Sequence, residues 1–179
     1  GLHKNLKEGL QELGHEVVIA SGGDGWKKIS SDITFNSKLP SVLGKVHSRL
    51  MPLLALRKLS GFDIVQVITP FFLSLHPYID KWFFSQLKNR NCKMFFVAAG
   101  GDAFYWNNAR QKLRYHPLND SLKYDFKKTG IYLETAKAFK LNQELVKLAD
   151  GVIPCMYEYS VCYEGISNLM DVVPLPMNV

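Results

Sequence analysis

The chain has little cysteine, and its cysteines are poorly spaced for chemistry. Cys92, Cys155 and Cys162 are the only three. They lie in or beside apolar segments and form no CxxC pair, so neither a disulfide framework nor a thiolate zinc site is supported. A reducing cytoplasm is the natural compartment for such a sequence. No apolar run reaches the length of a bilayer span, and no stretch reads as a secretory leader. Repeats and low-complexity segments are also lacking. His15, His47, His76 and His116 show no metal-ligand spacing with one another or with Asp and Glu. There is no nucleophile elbow to seat a catalytic serine. The formal charge of +6 and pI near 9.2 invite an anionic partner, such as nucleic acid, a phosphorylated substrate or a membrane surface. The basic residues are nevertheless spread along the chain without a block, which argues against a nucleic-acid partner and for a basic surface.

What is present is the material of one ordinary domain. With 179 residues, 47% of them hydrophobic and 21% charged, the chain is globular rather than disordered and can bury a core. Leu2, Leu6, Leu10 and Leu13 recur at helical spacing, and Gly14 stops that helix. EVVIAS (16–21) reads as a buried strand, followed by a loop at Gly22, Gly23, Asp24 and Gly25. Helix, glycine and strand in that order are half of a βαβ unit whose first strand is missing. The chain is therefore expected to be a fragment, or to have lost that strand.

Ile33 and Phe35 predict a short strand. Val42, Val46, Leu50, Leu53 and Leu54 predict a helix that Pro52 should break or kink. Lys45, Arg49, Arg57 and Lys58 lie on its other faces, so it is either an interfacial amphipathic helix or a helix packed on its own sheet. DIVQVIT (63–69) is the next strand, then a crossover with a helix from Tyr78, then a strand at 93–99. Residues 103–128 lack periodicity and read as loop with short helical pieces. A long helix is expected over 131–149, a strand at GVIPC (151–155), a short helix at 157–163 and a last short strand at Val172 and Val173. Strands alternating with helices make this an α/β chain, a Rossmann-like three-layer domain with a mainly parallel sheet.

Ligands of such sheets sit beyond the carboxyl ends of the strands. The apolar run Met94, Phe95, Phe96, Val97 and Ala98 ends there in Gly100, Gly101 and Asp102. Glycines let a ligand approach the backbone; Asp102 either orients a hydroxyl or caps the following helix. Gly22, Gly23 and Asp24 form either an ordinary strand-to-loop turn or a second ligand loop, without the GxGxxG spacing or the Lys-Ser/Thr of a P-loop. Tyr157, Glu158 and Tyr159 follow the last long strand, where aromatic faces beside a carboxylate suit a sugar ring, or simply pack. His3 lies ahead of the first helix turn, where it either meets a ligand at a helix N-terminus or is a terminal residue.

Several segments together resemble the N-terminal domain of a GT-B glycosyltransferase of the group 1, or family four, type. They are HKNLKEGLQELGHEVVIASGGDG (3–25), FDIVQVITP (62–70), MFFVAAGGD (94–102), LADGVIPCMYEYS (148–160) and VVPLPMN (172–178). The most specific is Ala149, Asp150, Gly151, Val152 and Ile153 leading to Tyr159 and then PLPMN. The resemblance implies half of a two-domain fold: this half binds a glycan or lipid-linked acceptor, and a second domain, absent here, binds the nucleotide sugar. It implies retaining transfer with no metal or cofactor beyond that co-substrate, often in bacterial cell-surface polysaccharide synthesis at the cytoplasmic membrane face. By position, Asp102 falls where family members carry a catalytic-region His or Asp, although Gly101 rather than His precedes it. His3, Gly22, Gly23, Asp24, Gly100, Gly101, Tyr157 and Glu158 would line the acceptor side. The paired glutamates of the family's donor domain are absent; Glu8 and Glu16 match their spacing by chance. Without the donor domain the chain alone is expected to be inactive. Two other classes remain open: a Rossmann-type nucleotide-binding oxidoreductase domain and a non-catalytic membrane-surface module.

Overall fold

The structure, a computed structural model, describes residues 2–22, 31–35, 41–68, 77–116 and 133–175. The chain is α/β, with six α-helices and two small sheets among these residues, both parallel, consistent with a Rossmann-like three-layer domain. It divides into two compact units, Gly1–Lys58 with Leu175–Val179, and Leu59–Pro174.

In the first unit, helix α1 (Leu2–Glu12) ends as its sequence predicts. Gly14 takes a positive φ of 87°, and the His15 N–H donates to the Leu10 carbonyl at 3.0 Å, so the turn satisfies the helix's last carbonyls. Strand β1 (Ala20–Ser21) pairs in parallel with β2 (Ile33–Thr34). The strand expected at 16–21 is thus paired only at its end. Its described neighbour is short, and Asp32 takes over the preceding position: its carboxylate accepts from the Ile19 N–H at 2.7 Å, and its own N–H donates to the Ile19 carbonyl at 2.8 Å. Lys7 of α1 donates to the same carboxylate at 2.7 Å. Ile19 and Phe35 are the buried apolar residues of this segment. Helix α2 (Ser41–Leu54) carries Pro52 inside it and passes directly into a 3₁₀ turn (Ala55–Leu59). The expected break does not fall at Pro52: the α-helix runs through it to Leu54, and the change of helix type comes only at Ala55.

The second unit is built on a sheet of order β3-β4-β5, comprising β3 (Ile64–Val67), β4 (Lys93–Ala98) and β5 (Gly151–Pro154). All pairs are parallel, with Val67 opposite Phe96 and Phe96 opposite Val152. Met94, Phe96 and Ala98 alternate onto one face and are fully buried. Helices α3 (Pro77–Asn89) and α5 (Ala136–Leu148) pack on each other and on β4. Pro77 starts α3, where a missing N–H costs nothing. The expected helix over 131–149 is shorter at its start, because the Thr135 hydroxyl accepts from the Ala138 N–H at 3.1 Å and caps it; residues 131 and 132 lie outside the described residues.

Two further expectations are corrected. The first ten residues of the stretch expected as loop with short helical pieces form one continuous helix, α4 (Ala103–Lys112). Its Ala103, Phe104, Tyr105, Trp106 and Ala109 are buried on several sides, which erases the one-sided periodicity a surface helix shows. Residues 117–128 lie outside the described residues. The last strand, expected at Val172 and Val173, does not form. Only Leu169 bridges to Val152, and Val173 donates a single hydrogen bond to the Pro154 carbonyl at 2.9 Å. Pro174 then removes the next donor.

Candidate functional site

At the carboxyl ends of β4 and β5 the chain turns twice, once into α4 and once into α6 (Tyr157–Tyr163). The two turns are neighbours, because the Cys155 N–H donates to the Ala98 carbonyl at 3.1 Å. After Ala98 the backbone goes through Gly100 and Gly101 with φ of 79° and 71°, a left-handed pair that only glycine adopts without strain. The ring of Tyr159 lies over Gly100 so closely that a Cβ there would sit 3.0 Å from Cε1 and from the hydroxyl. Around Gly101 the corresponding space is open and the residue is exposed. Tyr105 meets Tyr159 edge to face, with centroids 4.9 Å apart. Tyr157 stands 75% exposed, beside the partly exposed Glu158 on the first turn of α6. The ridge therefore offers an open glycine backbone, a free aromatic face and a carboxylate.

Asp102 stands behind this ridge rather than on it. Its Oδ1 accepts from the Tyr105 N–H at 2.8 Å, the geometry of an N-cap, and the side chain is 1% exposed. Burial pushes its carboxyl above the ordinary range, against the opposing pull of the Tyr105 N–H and, less strongly, of the nearby Tyr163 hydroxyl and Phe104 N–H. Tyr163 faces the carboxyl, yet no donor reaches Oδ2 in hydrogen-bond geometry. The fully buried Asn142 of α5 ties the cluster together, accepting from the Phe104 N–H at 3.2 Å and donating to the Tyr163 hydroxyl at 3.5 Å. Phe104 stacks on Tyr163 at 4.9 Å and meets Phe139 at the same distance. Asp102, Asn142 and Tyr163 thus hold the start of α4 against α5 and α6. Of the two roles read for Asp102 from sequence, capping is the one seen in the geometry.

The other candidates divide by unit. His3 lies within the first turn of α1, not ahead of it, and Gly22 follows β1; both belong to the first unit. Gly23 and Asp24 lie outside the described residues. Gly100, Gly101, Asp102, Tyr157 and Glu158 belong to the second unit, where Gly100 and α6 are brought together. The buried Asn142 and Tyr163 were not singled out from sequence. Asn142 sits within the apolar pattern of α5, and a polar residue on a helix's inward face is the signal that would have found it.

Cys155 and Cys162 are buried free thiols, and burial raises both, Cys162 to about 11, so neither is a ready nucleophile near neutrality. Burial likewise lifts the Tyr159 phenol to about 12 and keeps it protonated. Among the described residues no group of three His, Cys, Asp or Glu is placed to hold a metal ion. Nor is any described helix long and apolar enough to cross a membrane. Comparison with protein families, with curated proteins and with solved structures returns no match to this chain.

Proposed function

We propose that this chain is the acceptor-side domain of a retaining glycosyltransferase, which passes a sugar from a nucleotide-activated donor to a hydroxyl of a glycan or lipid-linked acceptor. The observation that carries the reading is the ridge at the carboxyl edge of β4 and β5. There the Gly100–Gly101 turn lies against α6, whose first turn presents Tyr157 and Glu158. An exposed aromatic face stacks on the apolar face of a sugar ring, and a carboxylate accepts hydrogen bonds from ring hydroxyls. The resemblance of the segments around these residues to group 1 glycosyltransferases supports the same assignment.

In this reading Gly101, Tyr157 and Glu158 meet the acceptor. Asp102 is a positioning residue, because its oxygen is engaged by the Tyr105 N–H and its side chain is buried. The nucleotide sugar is held mainly by a second α/β domain of a longer polypeptide. Transfer breaks the bond between the anomeric carbon and the donor phosphate and forms one to the acceptor oxygen, whose proton leaves with the phosphate. The reading carries a cytoplasmic location with it, in keeping with three free cysteines.

The test is transfer by the full-length polypeptide across a panel of sugar nucleotides with glycan and lipid-linked acceptors. Tyr157→Ala should raise KM for the acceptor about tenfold and leave KM for the donor unchanged, as expected for one lost stacking contact. Absence of transfer from every sugar nucleotide, or a Tyr157→Ala effect on the donor alone, would sink the assignment.

A further inference from the structure

Helix α2 turns apolar side chains outward. Leu43, Val46, Leu50 and Leu54 are 71%, 51%, 41% and 72% exposed. Their spacing of three, seven and eleven residues from Leu43 puts all four on one stripe, about 16 Å long at the rise of an α-helix. The buried positions of α2, Gly44 and Pro52, lie on a different face, so the stripe is not the helix's packing surface. Lys45 and Arg49 are exposed along the same helix, and Arg57 and Lys58 are exposed on the 3₁₀ turn that continues it. Between Asp32 and Asp63 the sequence has five cations, Lys38, Lys45, Arg49, Arg57 and Lys58, and no carboxylate at all.

From these observations we infer that α2 is a peripheral membrane-docking helix that lays Leu43, Val46, Leu50 and Leu54 into the surface of an anionic lipid bilayer. The charge pattern selects this occupant. A helix in the bilayer interface needs an apolar stripe for the acyl boundary and cations for the headgroups, and α2 with its 3₁₀ extension has both. A second copy docked through the same face would bring two sets of cations together with no carboxylate between them. Four side chains on one helix also fall far short of the roughly 20–30 residues a side of a stable protein interface. The inference rests on the exposed stripe and its charges, and does not depend on the glycosyltransferase reading.

Co-sedimentation of the chain with vesicles tests it. The chain should pellet with phosphatidylcholine vesicles containing about a third phosphatidylglycerol and stay in solution with phosphatidylcholine alone. Each cation near such a surface is worth about fivefold in partitioning, so Lys45→Gln with Arg49→Gln should weaken binding about 25-fold. Leu43→Gln with Leu54→Gln should abolish it even at low salt, where charge alone would still adsorb a basic protein. In the unaltered protein, amide exchange over residues 41–54 should slow when anionic vesicles are added, which decides the matter even if the leucine variant fails to fold. Binding indifferent to the leucine change would mean adsorption by general basicity and overturn the inference. It is equally overturned by no binding to anionic vesicles, by exchange slowed only elsewhere, or by a dimer in sedimentation velocity that the leucine variant dissolves.

Discussion

Gly100 and Gly101 look alike in the sequence and stand in different surroundings. Both have positive φ, so a side chain at either costs about 1–2 kcal/mol of backbone strain. Only at Gly100 does a Cβ also meet an aromatic ring, 3.0 Å from Tyr159 Cε1. Gly100→Ala should therefore destabilise by about 1 kcal/mol or more beyond Gly101→Ala, the added cost being that of overpacking. Urea unfolding of the two variants measures the difference. In a Tyr159→Ala background the two glycines should become equivalent, and an unchanged gap there would show that the ring is not the cause. The pair GG was legible in the sequence as a close-approach turn. Which glycine is pressed, and by what, was not, because Tyr159 is far along the chain and only the neighbouring turns of β4 and β5 bring it over.

The lesson at the scale of elements is α4. Its sequence, AFYWNNARQK, has no apolar stripe, and periodicity alone reads it as irregular. Its formation rests on an N-cap and on burial from several directions: Asp102 at the start, Asn142 receiving the Phe104 N–H, and the Asn108 side chain donating to the Cys162 carbonyl at 2.7 Å. Removing the cap should cost what caps cost. At about pH 3, below the ordinary carboxylate range, Asp102→Ala is expected to lose about 1–2 kcal/mol, whereas Asp102→Asn keeps an acceptor oxygen and should stay within about 0.5 kcal/mol of the parent. Thermal or urea melts of both variants check this. Equal losses from Asn and Ala would mean that the carboxyl itself, not an acceptor oxygen at the cap, is what the helix needs.

Across the whole molecule, the second unit is pinned by Asp150, which the sequence shows only as one residue of a motif between a helix and a strand. Asp150 accepts from Lys88 at the end of α3 and from the Met94 N–H of β4 at 2.7 Å, with Lys93 at 3.6 Å from its other oxygen. The Lys88 bond, then the Met94 N–H, hold its carboxyl down at about 2, below the ordinary 3.8. A depressed folded value means stability that is present above the ordinary value and lost as pH falls through about 2. Asp102 acts in the opposite sense. Burial raises its value, so its contribution is complete below the ordinary carboxylate range and is lost as pH rises through the raised value. Asp150→Asn should flatten the loss of stability between about pH 4 and 2, and Asp102→Asn should remove a decline that begins above about pH 4. Unfolding free energy followed against pH for both variants tests the assignment. An acid limb unchanged in Asp150→Asn would place the titrating group elsewhere.

The sequence by itself determined the class of fold and the order of its pieces. Continuous apolar runs such as 94–98 have to be covered on both faces, and leucines at helical spacing followed by Gly14 have to be a helix that ends there; both are local facts of periodicity and backbone freedom. It also marked residues 100–102 as a turn at a strand's carboxyl end. Tertiary structure alone decided what each residue of that turn does. Hydrogen-bond partners and burial are set by segments distant in sequence: Asn142 and Tyr163 enclose Asp102, Tyr159 covers Gly100, and only Gly101 with Tyr157 and Glu158 is left facing outward.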